Sequence, residues 1–422
     1  MENEKWNEET FSQIAKRIDS YYSEAVFLQK ELIKRPAISP SSGGKGEFQK
    51  ARFLIEYLSS LRLGEIEIIE APDERAENGV RPSIVLRRNP TTLTRTPSPT
   101  CWIMSHLDVV PAGPRKNWDT DPFEGVVKDG KIYGRGSEDN NQGLIASILA
   151  LKAIVEEKIS LQHPVGLLFI ADEETGSEYG IAYILKHKNP FAKDDIIVVP
   201  DAGTPDGTAI EVAEKSILWL KLTIQGKQGH GSRPDTAINA HRAAANLTVR
   251  LDDSLRKRYP QKNELFHPPV STFEPTKKEA NVENVNTIPA EDILYFDCRI
   301  LPATPVDEVL KTVEEISTSV ERDFGVKVNI SLVQRADAAP PTPPDSPVVK
   351  ALSSAIRRVY GKESHPVGIG GGTVAAFVRR AGLHAAVWAK INEKAHQPNE
   401  YCEISNLLGD AKVFAHLFGR SL

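Results

Sequence analysis

The sequence predicts an α/β protein in which a doubly wound, mostly parallel sheet is interrupted by a small α+β insert of ferredoxin-like type. Three observations carry this expectation. Apolar runs such as Val165–Ala171 and Ile196–Pro200 are short and continuous, as strands buried on both faces are. They alternate with helical periodicities over most of the chain, the pattern of parallel strands joined by crossover helices. From about Lys215 the pattern changes to period-two alternation, and the run Ala338–Pro347, with five prolines in ten positions, marks the return to the first pattern. The expected organisation is a first domain split into 1–214 and 335–422, with the insert at 215–334.

Element by element, apolar residues from Phe11 to Lys34 (Ile14, Ile18, Tyr21, Val26, Leu32) recur at helical intervals until Arg35-Pro36 ends the segment. A second helix is expected over Phe48–Leu61, then β-rich pieces at Gly64–Ile69 and Ser83–Arg87. Pro90–Pro99 lacks periodicity and reads as a surface loop. Cys101–Leu107 is expected as a buried strand, Gly143–Glu157 as a helix, Val165–Ala171 as a strand, Gly180–His187 as a helix and Ile196–Val199 as a strand. In the insert, Leu218–Gln225, Ile293–Ile300 and Val326–Leu332 read as strands, with helices over Ala237–Leu251 and Pro305–Arg322, a βαββαβ-like order. Val348–Tyr360 and Val374–Ala381 as helices and Ala385–Ala389 as a strand complete the first sheet.

Composition narrows the function classes. At roughly 150 residues per domain, 422 residues allow two or three domains and exclude a small disulfide-stapled scaffold. Lys plus Arg number 52 against 57 Asp plus Glu, a formal charge of −5, which argues against a nucleic-acid or anionic-membrane surface. Cys101, Cys298 and Cys402 are odd in number and far apart, which suits a reducing compartment and rules out a cysteine zinc site by spacing. The N-terminus is acidic where a secretory leader is basic, and no apolar run approaches the ~20 residues that span a bilayer. A cytoplasmic protein with no membrane or nucleic-acid partner is expected.

The chemistry collects where strands end. Ser-His-Leu-Asp at 105–108 closes a buried strand; an Asp two residues from a metal-binding His can fix its ring, although a His-x-Asp pair alone is more often a hydrogen-bonded loop pair. Tyr-Gly-Arg-Gly-Ser-Glu-Asp-Asn at 133–140 delivers Asp139 just before a helix. Ala-Asp-Glu-Glu-Thr-Gly-Ser at 171–177 places three adjacent carboxylates at a strand terminus, where they repel unless a cation offsets them or a helix N-terminus accepts them. Val-Val-Pro-Asp-Ala-Gly at 198–203 ends another strand in Asp201, and Lys-Ala-His-Gln-Pro-Asn-Glu at 394–400 puts His396 in a polar loop. Such a mix of N and O donors suits a catalytic zinc centre, with two metals sharing a carboxylate. Gly-Ile-Gly-Gly-Gly-Thr at 368–373 lacks the Gly-Lys-Ser/Thr ending of a phosphate loop and the spacing of a dinucleotide fingerprint, so no nucleotide is expected. Ser232 is not in a Gly-x-Ser-x-Gly elbow, which disfavours a serine hydrolase.

These five blocks, in this order, resemble the co-catalytic zinc metallopeptidases that include carboxypeptidase G, bacterial dipeptidases, acetylornithine deacetylase, succinyl-diaminopimelate desuccinylase and aminoacylase. The resemblance covers nearly the whole chain. It implies a catalytic zinc domain and an inserted lid and dimerisation domain. It also implies that His106 and Asp201 hold one zinc and Glu174 and His396 the other, with Asp139 between them. Glu173 would be the general base and Asp108 the residue that orients His106. Gly-Lys-Gln-Gly-His-Gly-Ser at 226–232 matches the family's lid histidine, so His230 is the candidate for stabilising the oxyanion across a dimer; a turn histidine is the alternative. Asn286, Arg299, Gly371, Gly372 and Thr373 stand where the family holds a substrate carboxylate, and an Arg299 paired with Asp297 is the structural alternative. Asn140 and Asn141 replace the Asp and Lys of many members, which leaves the strained peptide often found there without sequence support. Val374 and Ala375 replace a commonly acidic residue.

The function implied is hydrolysis of an amide bond beside a free carboxylate by two Zn2+ per subunit, with Co2+ or Mn2+ as substitutes. Asp at position 201 is more usual in the family's peptidases than in its deacylases, which favours a carboxypeptidase or dipeptidase; an N-acyl-amino-acid deacylase or desuccinylase is the alternative. Substrates would be small peptides or N-acyl amino acids, and the assembly a homodimer through the insert, with the edge of the Leu218–Gln225 strand as the suggested contact. A catalytically silent scaffold on the same fold is the reading from a different class.

Overall fold

The computed structural model describes residues 6–90 and 98–420. In chain order the elements are α1 (Glu8–Asp19), α2 (Tyr22–Ile33), α3 (Phe48–Leu61), β1 (Glu65–Pro72), β2 (Val80–Arg88), β3 (Cys101–His106), β4 (Val126–Lys128), β5 (Lys131–Tyr133) and α4 (Asn141–Glu156). There follow β6 (Val165–Ile170), α5 (Ile181–His187), β7 (Ile196–Gly203), β8 (Ala209–Glu214), β9 (Ser216–Gln225), β10 (Gly229–His230), α6 (Ala240–Arg258), β11 (Thr272–Lys278), β12 (Thr287–Ile288) and β13 (Glu291–Ile300). The chain closes with α7 (Val306–Phe324), β14 (Lys327–Ala336), α8 (Pro347–Tyr360), β15 (His365–Ile369), α9 (Ala375–Arg380), β16 (Ala385–Ala389), β17 (Tyr401–Glu403) and α10 (Ile404–Gly419).

Two compact units result. The second comprises Ala213–Pro341 together with Val367–Gly372; the first comprises the rest. The sequence places all of 335–422 with the first domain, whereas the glycine-rich stretch clusters with the insert because Gly368 pairs with Phe266 and Lys215 N–H bonds the carbonyl of Ile369.

In the first unit an eight-stranded sheet runs β1-β2-β6-β3-β7-β16-β8-β15. Its centre, β6-β3-β7-β16, is parallel, and antiparallel strands flank it. Every residue of β3 and β6 is buried, as expected for parallel strands covered on both faces. Their carboxyl ends, with that of β7, converge where open α/β sheets bind ligands. Helix α4, which starts directly after the Asp139 loop, is apolar nearly all round and packs against α10 and α2.

The second unit is a four-stranded antiparallel sheet, β11-β13-β9-β14, with α6 and α7 on one face. Leu218, Leu220, Leu222 and Ile224 point into that core by the period of two, which leaves Trp219 and Lys221 on the opposite face. Strand β9 is interior, flanked by β13 and β14, so the suggestion that its edge is free for dimer contact is overturned; the free edges are β11 and β14.

Three further expectations are corrected. The helix expected over 11–34 breaks at Ser20, whose hydroxyl bonds the Arg17 carbonyl and whose N–H bonds the carbonyls of Lys16 and Arg17, ending α1. Strand β8 was not anticipated because Ala-Ile-Glu-Val-Ala-Glu carries acids through a buried strand; Arg379 neutralises Glu211 there, at 2.9 Å. Strand β11, at the edge of the second sheet, was also missed. Most of the loop expected at 90–99 lies outside the described residues.

Candidate metal centre

Five segments of the first unit build the centre. His106 is the last residue of β3, Asp139 ends the loop before α4, Glu173 and Glu174 form a single 3-10 turn after β6, and Asp201 lies near the end of β7. His396 comes from the segment between β16 and β17. His106, Glu173, Glu174, Asp201 and His396 meet because each stands at or after the carboxyl end of a strand in the parallel centre of one sheet, while Asp139 is delivered from the loop after β5 of the three-stranded sheet β17-β5-β4.

The contacts show how Asp139 is shared. Its Oδ1 lies 2.8 Å from His106 Nε2, and its Oδ2 lies 3.2 Å from His396 Nε2. His106 Nε2 is also 3.2 Å from Asp201 Oδ1, and His396 Nε2 is 3.0 Å from Glu174 Oε2. The side chains therefore sort into two sets joined by one carboxylate. Donor atoms of His106, Asp139 and Glu174, and of His106, Glu173 and Asp201, lie within 4.8 Å of one another. Glu173 is thus also within ligand reach of the His106 set, although the family resemblance implies for it the role of base.

The two imidazoles and the carboxylates perturb each other's protons. Burial works against a charged His106, but the Asp201 charge and bonds to Asp108, Asp139 and Asp201 raise its pKa well above the ordinary value. Hydrogen bonds to Asp139 and Glu174 lift His396 to about 10. Burial tends to raise Asp139, yet the bonds and charges of His106 and His396 hold it below the usual carboxylate range. Glu173 is pushed far up by burial and then by the Asp201 charge, and Glu174 by burial and the Asp139 charge. Four carboxylates crowd two imidazoles, so the cluster is short of positive charge in a form that divalent cations remedy. The donors present fit a two-metal site.

Asp108 plays a broader part than orienting His106. His106 Nδ1 bonds the backbone carbonyl of Asp108 at 3.0 Å, with the carboxylate Oδ1 farther off at 3.6 Å. That carboxylate instead accepts the N–H groups of Glu173 and Glu174, each at 3.0 Å. Next to it, Asp172 occupies a left-handed backbone conformation (φ +64°), which costs a non-glycine residue on the order of 1–2 kcal/mol. Asp172 is held there by Arg81 at 3.3 Å, by its own bonds from Thr175 Oγ1 and Tyr179 N–H, and by Glu47, which accepts the Asp172 N–H. Arg81 is fully buried, with Glu47 as its bidentate partner. Sequence reasoning missed Glu47, Arg81 and the buried Lys50, whose Nζ donates to the Leu107 carbonyl at 2.7 Å, because each precedes the motifs and none stands at a strand end. The Asp139–Asn140 peptide, which Asn140 and Asn141 left without support in the sequence, is cis. Asn140 Nδ2 donates to the Pro200 carbonyl and to Asp201 Oδ1, a part its amide fills without the usual acid.

The other predicted residues belong to, or border, the second unit. His230 is exposed, and its Nδ1 is 2.8 Å from Ser232 Oγ. It pairs with Thr287, and the neighbouring Gly231 N–H bonds the Asn286 carbonyl, so His230 and Asn286 are brought together. Arg299 directs Nε and Nη2 at Asp297 and Nη1 at the Gly370 carbonyl, so its fork is engaged within the protein. A Cβ on Gly371 would meet no atom within 4 Å, so its backbone is open, and a Cβ on Gly372 would lie 3.8 Å from Glu214 Oε2. Thr373 Oγ1 accepts the Ala375 N–H at the start of α9.

A parallel-sheet α/β unit whose strand ends gather two imidazoles around one shared carboxylate defines a metallohydrolase. The profile of peptidase family M20/M25/M40 matches residues 102–420, and the chain belongs to that family, whose members act on C–N bonds. The chain is 43% identical over 416 residues to an uncharacterized metallohydrolase of Methanococcus maripaludis, covering 94% of this chain and 98% of the relative. It is 28% identical to a succinyl-diaminopimelate desuccinylase of Marinobacter nauticus over 386 residues, 90% and 94% of the two chains. A metallo-carboxypeptidase of Sulfolobus solfataricus shares the fold, with a TM-score of 0.70 at 21% identity over 94% of this chain and 98% of that one.

Proposed function

We propose that the protein hydrolyses an amide bond beside a free carboxylate, as a carboxypeptidase or dipeptidase using two Zn2+ per chain, replaceable by Co2+ or Mn2+. The observation that carries this is Asp139, each of whose oxygens faces a different histidine. His106 and Asp201 would hold one ion, His396 and Glu174 the other, and Asp139 both. Ions held there would lower the pKa of water and polarise the scissile carbonyl.

The chain's own residues do the rest. Glu173, backbone-anchored by Asp108, accepts the proton of the attacking water on its carboxylate and returns it to the leaving amine. His230 donates to the developing oxyanion, and the open backbone at Gly371 with Asn286 receives the substrate carboxylate. Arg299 acts by holding the Gly370 carbonyl, and so the glycine run, in place.

A second reading, an N-acyl-amino-acid deacylase, is favoured by the desuccinylase relative. A panel of dipeptides, N-acetyl amino acids and N-succinyl-diaminopimelate decides: the proposal expects faster turnover of the dipeptides, and preference for the acyl substrates overturns it. We further infer a homodimer through the second unit, supported by exposed Leu332 and Val333 on its edge strand β14. Three separate buried thiols support work in a reducing compartment such as the cytoplasm.

A further inference from the structure

The segment that carries His396 has neither helix nor strand between β16 and β17, and the histidine itself sits at φ +63° with its side chain more than half exposed. Nothing in its own secondary structure fixes where its ring meets Asp139 and Glu174. The fixing comes from two buried carboxylates that the proposed chemistry does not use. Glu138, next to the shared ligand, accepts the N–H of Asn392 on one oxygen and that of Lys394 on the other. Glu400, four residues after His396, reaches the other way. Its Oε1 accepts the N–H groups of Glu138 at 3.0 Å and Asp139 at 3.1 Å, and its Oε2 accepts Gly136 N–H at 3.1 Å and Arg135 Nη1 at 2.6 Å. The His396 segment is thus held just before and just after the histidine, each time to the loop that ends in Asp139.

We propose that Glu138 and Glu400 form a reciprocal brace that sets the separation of Asp139 from His396, and that Glu138 is the positioning residue governing affinity at the His396 metal position. A second carboxylate beside Asp139 adds repulsion where the site is already crowded with negative charge. It is offset by backbone donors that only the His396 segment supplies. A carboxylate offers both oxygens as acceptors; an amide offers one and turns an N–H donor towards the other backbone N–H. Glu138→Gln therefore releases one side of the brace while nearly preserving volume. Groups that orient metal ligands without touching the metal are worth about 10–100-fold in metal affinity. Among the described residues His106 bonds Asp139, Asp201 and Asp108, and Asp201 bonds His106, rather than Glu138, so the effect is expected at one position only.

This rests on the two-metal reading, and the test separates the two claims. The metal-free full-length protein, Glu138→Gln and His396→Ala are titrated with Co2+, followed by calorimetry and by the cobalt absorption of each bound ion. The unsubstituted protein is expected to take two Co2+. Glu138→Gln is expected to take the first with unchanged affinity and the second about 10–100-fold more weakly, approaching the behaviour of His396→Ala. Two Co2+ bound to Glu138→Gln as tightly as to the unsubstituted protein would overturn the brace and leave the two-metal reading standing. Equal weakening of both ions would overturn it too, since a general loss of structure has no preferred position. Fewer than two Co2+ on the unsubstituted protein would remove the two-metal reading and the brace with it. Should Glu138→Gln not fold, Glu138→Asp, which keeps the charge but shortens the reach, is read by the same criteria.

Discussion

Asp108 holds two consecutive backbone N–H groups on one carboxylate and so fixes the turn from which Glu173 and Glu174 project in different directions. An amide can accept only one of the two. Asp108→Asn is therefore expected to lose one charge-assisted bond, about 1.5–3 kcal/mol, read as a lower urea midpoint, and to reduce kcat more than it raises KM. An unchanged kcat would show that the turn does not depend on the carboxylate. Glu173→Ala leaves all five proposed ligands in place; it should keep its metal, measured by atomic emission, while turnover falls about 10²–10⁴-fold. Residues of this kind were legible because each closes an apolar run with an abrupt polar turn, so the strand ends announced themselves. Arg81, Glu47 and Lys50 were not. Their partners lie 34 to 125 residues away along the chain, and a buried ion pair leaves no local periodicity. Arg299 was legible as a candidate, but its choice of Asp297 and Gly370 over an open fork is a property of the folded strand.

Among the elements, β2 reaches the centre through Arg81, which ties α3's leading Glu47 to Asp172. Arg81→Met would leave Glu47 buried without its partner, and the expected loss is about 3–5 kcal/mol of stability; a change below 1 kcal/mol by urea denaturation would contradict the network. Helix α10 carries a different titratable group. Asp410 is raised to about 7 from 3.8, chiefly by burial and despite bonds from Gln142, Lys390 N–H and Tyr360. A carboxyl with a raised folded pKa binds its proton more tightly when folded, so its contribution is fully present below the unfolded value and is lost as pH rises through about 7. The metal-free protein should accordingly lose stability relative to Asp410→Asn between roughly pH 4 and 7 and level off above that, and parallel urea midpoints across that range would contradict this. The strands of the parallel centre were readable as continuous apolar runs. Strand β8 was hidden by Glu211, which pairs with Arg379 from another element, and the break between α1 and α2 falls at Ser20 within an unbroken helical periodicity.

For the whole molecule, the net charge of −5 said little about function because its sign is set partly by acids gathered at one site. Metal ions bound among Asp139, Glu174 and Asp201 would offset that local excess. The division into a sheet-based unit and an insert was legible from the switch in periodicity. The grouping of Val367–Gly372 with the insert was not, since it depends on pairing with Phe266 and Arg299. If His230 acts across a dimer, mixing His230→Ala chains with Glu173→Ala chains should restore part of the activity that each lacks alone; no recovery would place the histidine's action within one chain. The central claim is that two ions on one shared carboxylate drive amide hydrolysis. Its most direct test is to add Zn2+ stepwise to the metal-free protein while following dipeptide cleavage. Activity should be absent at the start and reach its plateau at two equivalents per chain, and full activity without metal, or a rate indifferent to added Zn2+, would contradict the account.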